Sequence, residues 1–131
     1  MNQSLAHIAL VVNDYDEAIQ FYTEILHFTL VEDKVMSTTK RWVMVAPPGS
    51  TGTTILLAKA ANEEQQSRVG NQTGGRVFLF LYTDDIDRDY KNLIDKKVTI
   101  VRELENQPHG KVTVFADLYG NLWDLIEPNS N

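Results

Sequence analysis

The 131 residues suffice for one domain with a real hydrophobic core, and a net charge of −6 leaves no basic patch with which to displace counterions from nucleic acid or an anionic bilayer. Without cysteine the chain has no disulfides, thiolate metal ligands or thiol nucleophile, which fits a reducing compartment. No stretch approaches the ~20 apolar residues of a membrane span, and the N-terminus shows neither a basic leader nor an apolar run, so a cytoplasmic protein is expected.

Residues 5–12 alternate one face (Leu5, His7, Ala9, Val11) with another (Ala6, Ile8, Leu10, Val12). Almost everything except His7 is apolar, which predicts a strand buried on both faces with one polar group set into it. Asp14 then suits an N-cap with Glu17 three residues on, and Ala18, Ile19, Tyr22, Ile25 and Leu26 recur at helical spacing, predicting a helix over 15–26. Strands are expected at 29–36, 41–46 and 53–58, separated by a polar turn at 37–40 and a Pro-Gly reversal at 47–52. Residues 59–75 change character, with a short polar helix inside 60–69 and a glycine-rich connection from Gly70 to Gly75.

The pattern then begins again. Residues 77–82 read as a strand, 86–94 as a helix, 98–104, 111–116 and 121–127 as strands, with a loop at 107–110 and a turn at 117–120. Sliding the first copy onto the second puts His7 on Phe78, Leu10 on Leu81, Asp14 on Asp85 and Asp16 on Asp87. The expected fold is α+β, a single domain over 1–131 made of two tandem βαβββ modules, about 5–58 and 76–127, joined by a linker at 59–75. The helix of the first module should cover the Ile8/Leu10/Val12 side, which turns the His7 side toward the other sheet or a cavity. In the second module the matching face carries Phe78, Phe80 and Tyr82, an aromatic wall suited to a planar or apolar ligand.

Three stretches then gain a common meaning: His7-Ile8-Ala9-Leu10-Val11-Val12-Asn13-Asp14, Phe21-Tyr22 with Leu26-His27-Phe28, and Phe115-Ala116-Asp117-Leu118-Tyr119-Gly120-Asn121-Leu122-Trp123-Asp124-Leu125. Together they make the chain resemble the vicinal oxygen chelate superfamily, which holds glyoxalase I, bleomycin-resistance proteins, fosfomycin-resistance enzymes and extradiol dioxygenases. His27 stands where that family usually has glycine. The resemblance implies a curved sheet around a central cavity, a homodimer, and a lyase, isomerase or dioxygenase in which one divalent ion (Zn, Ni, Mn, Fe or Co) polarises vicinal oxygens of the substrate. Metal-dependent members place ligands on the first and last strands of each module. Carried across, His7 matches the first position and Asp124 the last, where glutamate is usual. Phe78 holds another position and cannot ligate, and the remaining one falls among Ile55-Leu56-Leu57, read as Leu56 and apolar whichever register holds.

Two ligands fall short of the three that catalytic ions usually take from the protein. His7 is therefore a metal ligand, a general base or substrate hydrogen bond, or a structural histidine. Asp124 is its metal-binding or base-orienting companion, or an ordinary hydrogen-bonded carboxylate. Phe78, Phe80, Tyr82, Leu56 and Trp42 are candidate substrate contacts, although Trp42, like Met44 and Trp123, equally suits a core. His109 is an entrance residue or a solvated loop histidine, and Glu103 a site residue or a surface charge. Gln72 reads as lid or plain linker, and Asp117 with Gly120-Asn121 as turn chemistry. No nucleophile motif appears, and Gly74-Gly75 precede a strand, the wrong order for a phosphate loop. Two functions stand: a glyoxalase-like enzyme acting on a small organic molecule, or a metal-free protein that binds and sequesters a drug or metabolite.

Overall fold

Asp14 ends the first strand by starting a helix. Its backbone is extended and its Oδ2 accepts from the Glu17 N–H at 2.9 Å, as the capping pattern predicts. The computed structural model describes residues 1–130 and divides into two compact units, Met1–Val69 and Gly70–Asn131.

The first unit runs β1 (His7–Val12), α1 (Tyr15–Gln20), β2 (Thr29–Val35), β3 (Arg41–Ala46), β4 (Thr54–Lys59) and α2 (Glu63–Arg68). Its sheet has the order β1-β4-β3-β2, with β1 parallel to β4 and the other pairs antiparallel. Side-chain alternation sorts the strands into two faces. Leu10, Val12, Val43, Val45, Ile55 and Leu57 are buried on one, together with Ala18 and Tyr22 of the helical segment. The expectation that β1 is buried on both faces is corrected here, because His7 and Ala9 are exposed. Within this unit the helix covers one face of the sheet and leaves the other open.

The predicted single helix over 15–26 is also corrected. Beyond Gln20 the chain widens into a π-helical turn, Phe21–Ile25. The Thr23 hydroxyl donates to the Ile19 carbonyl at 2.7 Å, a side-chain bond that competes with the regular ladder. Arg41 ties the unit's edge together, with Nη1 2.9 Å from Asp16 and Nη2 2.7 Å from Asp33, its guanidinium lying over the Tyr15 ring.

The second unit repeats this order with β5 (Val77–Tyr82), α3 (Ile86–Asp95), β6 (Ile100–Gln107), β7 (Gly110–Ala116) and β8 (Leu122–Pro128), in a sheet ordered β5-β8-β7-β6. Again the first and last strands of the unit are parallel partners, β5 with β8. Each unit thus has the predicted βαβββ connectivity. Ile86 and Leu93 of α3 are buried, as are Phe115, Trp123 and Leu125 of the sheet, and Phe115 stacks on Trp123 with ring planes 4° apart. The loop expected at 107–110 is instead a tight hairpin: Gln107 pairs with Gly110 across Pro108-His109, and β6 begins two residues later than expected.

The turn from β7 into β8 is built by one buried carboxylate. Asp117 Oδ1 accepts from the backbone N–H groups of Tyr119, Gly120 and Asn121 at 2.9, 3.0 and 2.9 Å, and its Oδ2 accepts from Asn121 Nδ2 at 3.0 Å. This is the turn chemistry read from the sequence. Gly70 lies against the turn at φ +76°, where an added Cβ would sit 1.8 Å from the Tyr119 carbonyl oxygen, so only glycine fits.

Candidate functional site

In the first unit the open sheet face is set by register. His7 pairs with Thr54, Ala9 with Leu56, and Leu56 in turn with Met44. Alternation adds Trp42 to the same face. His7 Nδ1 and Thr54 Oγ1 are 2.6 Å apart, and Trp42 meets the imidazole edge-on with ring centroids 6.0 Å apart. The Met44 thioether lies 3.6 Å from the same hydroxyl. The imidazole is therefore oriented by a hydroxyl and an indole edge, while its Nε2 is left for a ligand or solvent. Trp42 is half-buried beside His7, so its place is on this face and not in the core, whereas Met44 is buried at its foot.

In the second unit the open face is aromatic and carries one acid. Phe80 pairs with Asp124, Tyr82 with Ile126, and on the other side of β8 Val114 pairs with Asp124. Phe80 is 65% exposed and Tyr82 72%. Asp124 thus stands between Phe80 and Val114 across the sheet, and between Leu122 and Ile126 along its own strand. This apolar frame explains its electrostatics. Burial raises its pKa above the ordinary carboxylate value, against the opposing electrostatic pull of Arg102 and, more weakly, His109. Its Oδ1 is shielded from solvent and has no hydrogen-bond partner among the described residues.

The remaining predicted residues divide. Leu56 occupies, by register, the place in the first unit that Asp124 holds in the second, since Ala9 faces Leu56 as Phe80 faces Asp124. Phe78 lies at a shift in register between Val77 and Leu79 and is half-buried. That shift takes it out of the regular alternation that would set it on one face with Phe80 and Tyr82. His109 is exposed at the hairpin tip, and Glu103 is exposed within a second shift, between Arg102 and Glu105. Trp123 is in the core stack.

Two residues were missed by sequence reasoning. Thr54 was invisible because its meeting with His7 depends on a parallel register across 47 residues. Arg102, whose charge acts on Asp124, reads in sequence as one more surface cation near Glu103 and Glu105.

The donor set does not suit a divalent ion. Among the described residues no three His, Cys, Asp or Glu side chains are grouped to hold one, each unit supplies a single candidate ligand, and Leu56 and Phe78 have no donor atom to add.

The model of the Glyoxalase/Bleomycin resistance protein/Dioxygenase superfamily matches residues 4–125. The chain belongs to this superfamily. An uncharacterized protein of Shewanella frigidimarina is 56% identical over 130 residues, covering 98% of this chain and 96% of the relative. Among solved structures, UcmS2 superposes with a TM-score of 0.85 at 28% identity, covering 97% of this chain and 99% of that one. TnmS3, an antibiotic-binding protein from Streptomyces sp. CB03234, superposes with a TM-score of 0.78 at 28% identity, covering 98% of both chains. The superfamily fold, two tandem βαβββ modules, is the one anticipated from the repeat, and no helix among the described residues is long and apolar enough to cross a membrane.

Proposed function

We propose that this superfamily member binds a small planar organic molecule and holds it without metal chemistry, as a cytoplasmic homodimer. The observation that carries the reading is the exposure of Phe80 and Tyr82 on one sheet face beside Asp124. Large aromatic side chains left in water on a strand are a standing surface for a flat apolar partner. Trp42 and Met44 extend the same character to the open face of the first unit. The similarity to TnmS3, an antibiotic-binding protein, supports a drug-like or antibiotic ligand. A lyase or dioxygenase reading rests on His7 and Asp124 alone, and the donor chemistry weighs against it.

Equilibrium dialysis with planar aromatic antibiotics gives a direct test. Phe80 and Tyr82 are exposed on the face that carries Asp124, so such compounds should bind the protein saturably. Saturable binding that is indifferent to chelator and lost in Phe80→Ala supports the reading. Binding that appears only on adding a divalent ion, or chemical turnover of the compound, overturns it.

A further inference from the structure

Resting on that binding reading, we propose that Asp124 makes the site selective for planar aromatic molecules carrying an N–H or O–H donor on the ring edge. Asp124 sits among Phe80, Val114, Leu122 and Ile126, none of which offers a side-chain donor, and its Oδ1 is buried with no hydrogen-bond partner among the described residues. A buried acceptor without a donor costs the folded state free energy, and a chain relieved of it by an apolar side chain would be more stable. The carboxylate is therefore a poor choice for holding the sheet together.

It is a good choice for reading a ligand. Phe80, its direct cross-strand partner, offers an exposed ring against which a flat molecule can lie. The terminal torsion of aspartate is soft and two-fold, so either oxygen can be presented to that molecule's edge. A donor arriving there gains a charge-assisted hydrogen bond to the outward oxygen of a carboxylate that its apolar frame leaves without a protein donor. A compound with only ether, tertiary amine or carbonyl groups at that edge places lone pairs against a carboxylate. Arg102 and His109 lie near enough to act on the Asp124 charge, and they moderate this selectivity without supplying the missing donor.

The experiment compares aminoanthracene with its N,N-dimethyl derivative, which share the ring system and differ in the donor. Wild type should bind the amine roughly tenfold to hundredfold tighter, the range for a hydrogen bond to a charged acceptor, and in Asp124→Leu the ratio should fall toward one. Equal affinities in wild type, or a preference that survives in Asp124→Leu, overturn the inference while leaving the binding reading intact. If neither compound binds, that reading is what fails for this ring class, and the ligand-free proteins decide the role of Asp124. A higher melting temperature for Asp124→Leu than for wild type supports an acceptor kept unpaired; a lower one assigns the carboxylate a structural role and overturns the inference.

Discussion

His7 and Thr54 are directly paired across the parallel strands β1 and β4, and their side chains meet in a hydrogen bond of 2.6 Å between Nδ1 and Oγ1. The bond converts a histidine at the edge of a sheet into one of fixed ring plane, with Trp42 against it as a second restraint. Thr54→Val keeps the shape and removes the hydroxyl. Because His7 is exposed and water can replace the lost partner, the stability cost should be small, about 0.5–1 kcal/mol by urea denaturation. If the oriented imidazole contributes to binding, Thr54→Val should weaken aromatic ligands in the same direction as His7→Ala. Loss of affinity in His7→Ala with none in Thr54→Val would show that orientation does not matter.

Asp124 makes stability depend on pH in a definite sense. Its folded pKa is raised from 3.8, chiefly by burial, so the folded state binds this proton more tightly than the unfolded chain. The corresponding stabilisation is complete below the unfolded value and is lost as pH rises through the raised folded value. Wild type should therefore gain on Asp124→Asn as the solution is acidified from neutral toward pH about 4, since only wild type can take up the proton. Urea midpoints of the two proteins across that interval measure the difference, and a difference that stays flat would show that Asp124 is solvated like a surface acid.

The turn that delivers β8 depends on Asp117. Replacing it with alanine takes the acceptor from the half-buried Tyr119 N–H and from the buried Asn121 N–H and side-chain amide, while the Gly120 N–H keeps the Asp117 carbonyl at 3.0 Å, and should cost about 3 kcal/mol. Glu103→Ala, on an exposed stretch of β6, should stay within about 0.5 kcal/mol of wild type. Because Asp117 anchors the strand that carries Asp124, the turn variant should also weaken ligand binding before it unfolds the protein. Ordinary affinity in a destabilised Asp117→Ala would separate the turn from the site.

What the sequence revealed follows from which interactions are local. The Asp14 and Asp85 caps, the Asp117 turn and the alternation within each strand lie within a few residues, and all were readable. The repeat was readable because both units place a strand and a capped helix in the same order. Register was not, since a strand's pairing partner depends on the whole sheet. Thr54 beside His7, the slip at Phe78 that breaks the alternation, and the placement of Asp124 between Phe80 and Val114 all come from pairings 44 to 47 residues or 10 residues apart that no local pattern encodes. Burial of β1 on both faces was overread for a related reason: apolar composition tells that a face can be covered, and only packing tells whether it is.

The ends of the two major helices offer a test of backbone strain. Lys97 follows α3 at φ 60°, and its N–H donates to the Ile94 carbonyl at 3.0 Å while the Val98 N–H donates to the Leu93 carbonyl at 2.9 Å, the pair of bonds that closes a helix through a left-handed residue. His27 takes the same backbone region at φ 63° after the π-helical turn, with the Phe28 N–H donating to the Tyr22 carbonyl at 2.8 Å. A side chain is disfavoured in that region because Cβ crowds the following carbonyl. Glycine removes the crowding but loses more entropy on folding, so the net gain for Lys97→Gly should be about 0.5–1 kcal/mol, read as a higher urea midpoint with an unchanged slope. His27→Gly relieves the same strain and should likewise raise the urea midpoint. If Lys97→Gly destabilised the protein, the lysine side chain would have to contribute more than its backbone costs, and the helix end would owe its form to that side chain and not to the turn.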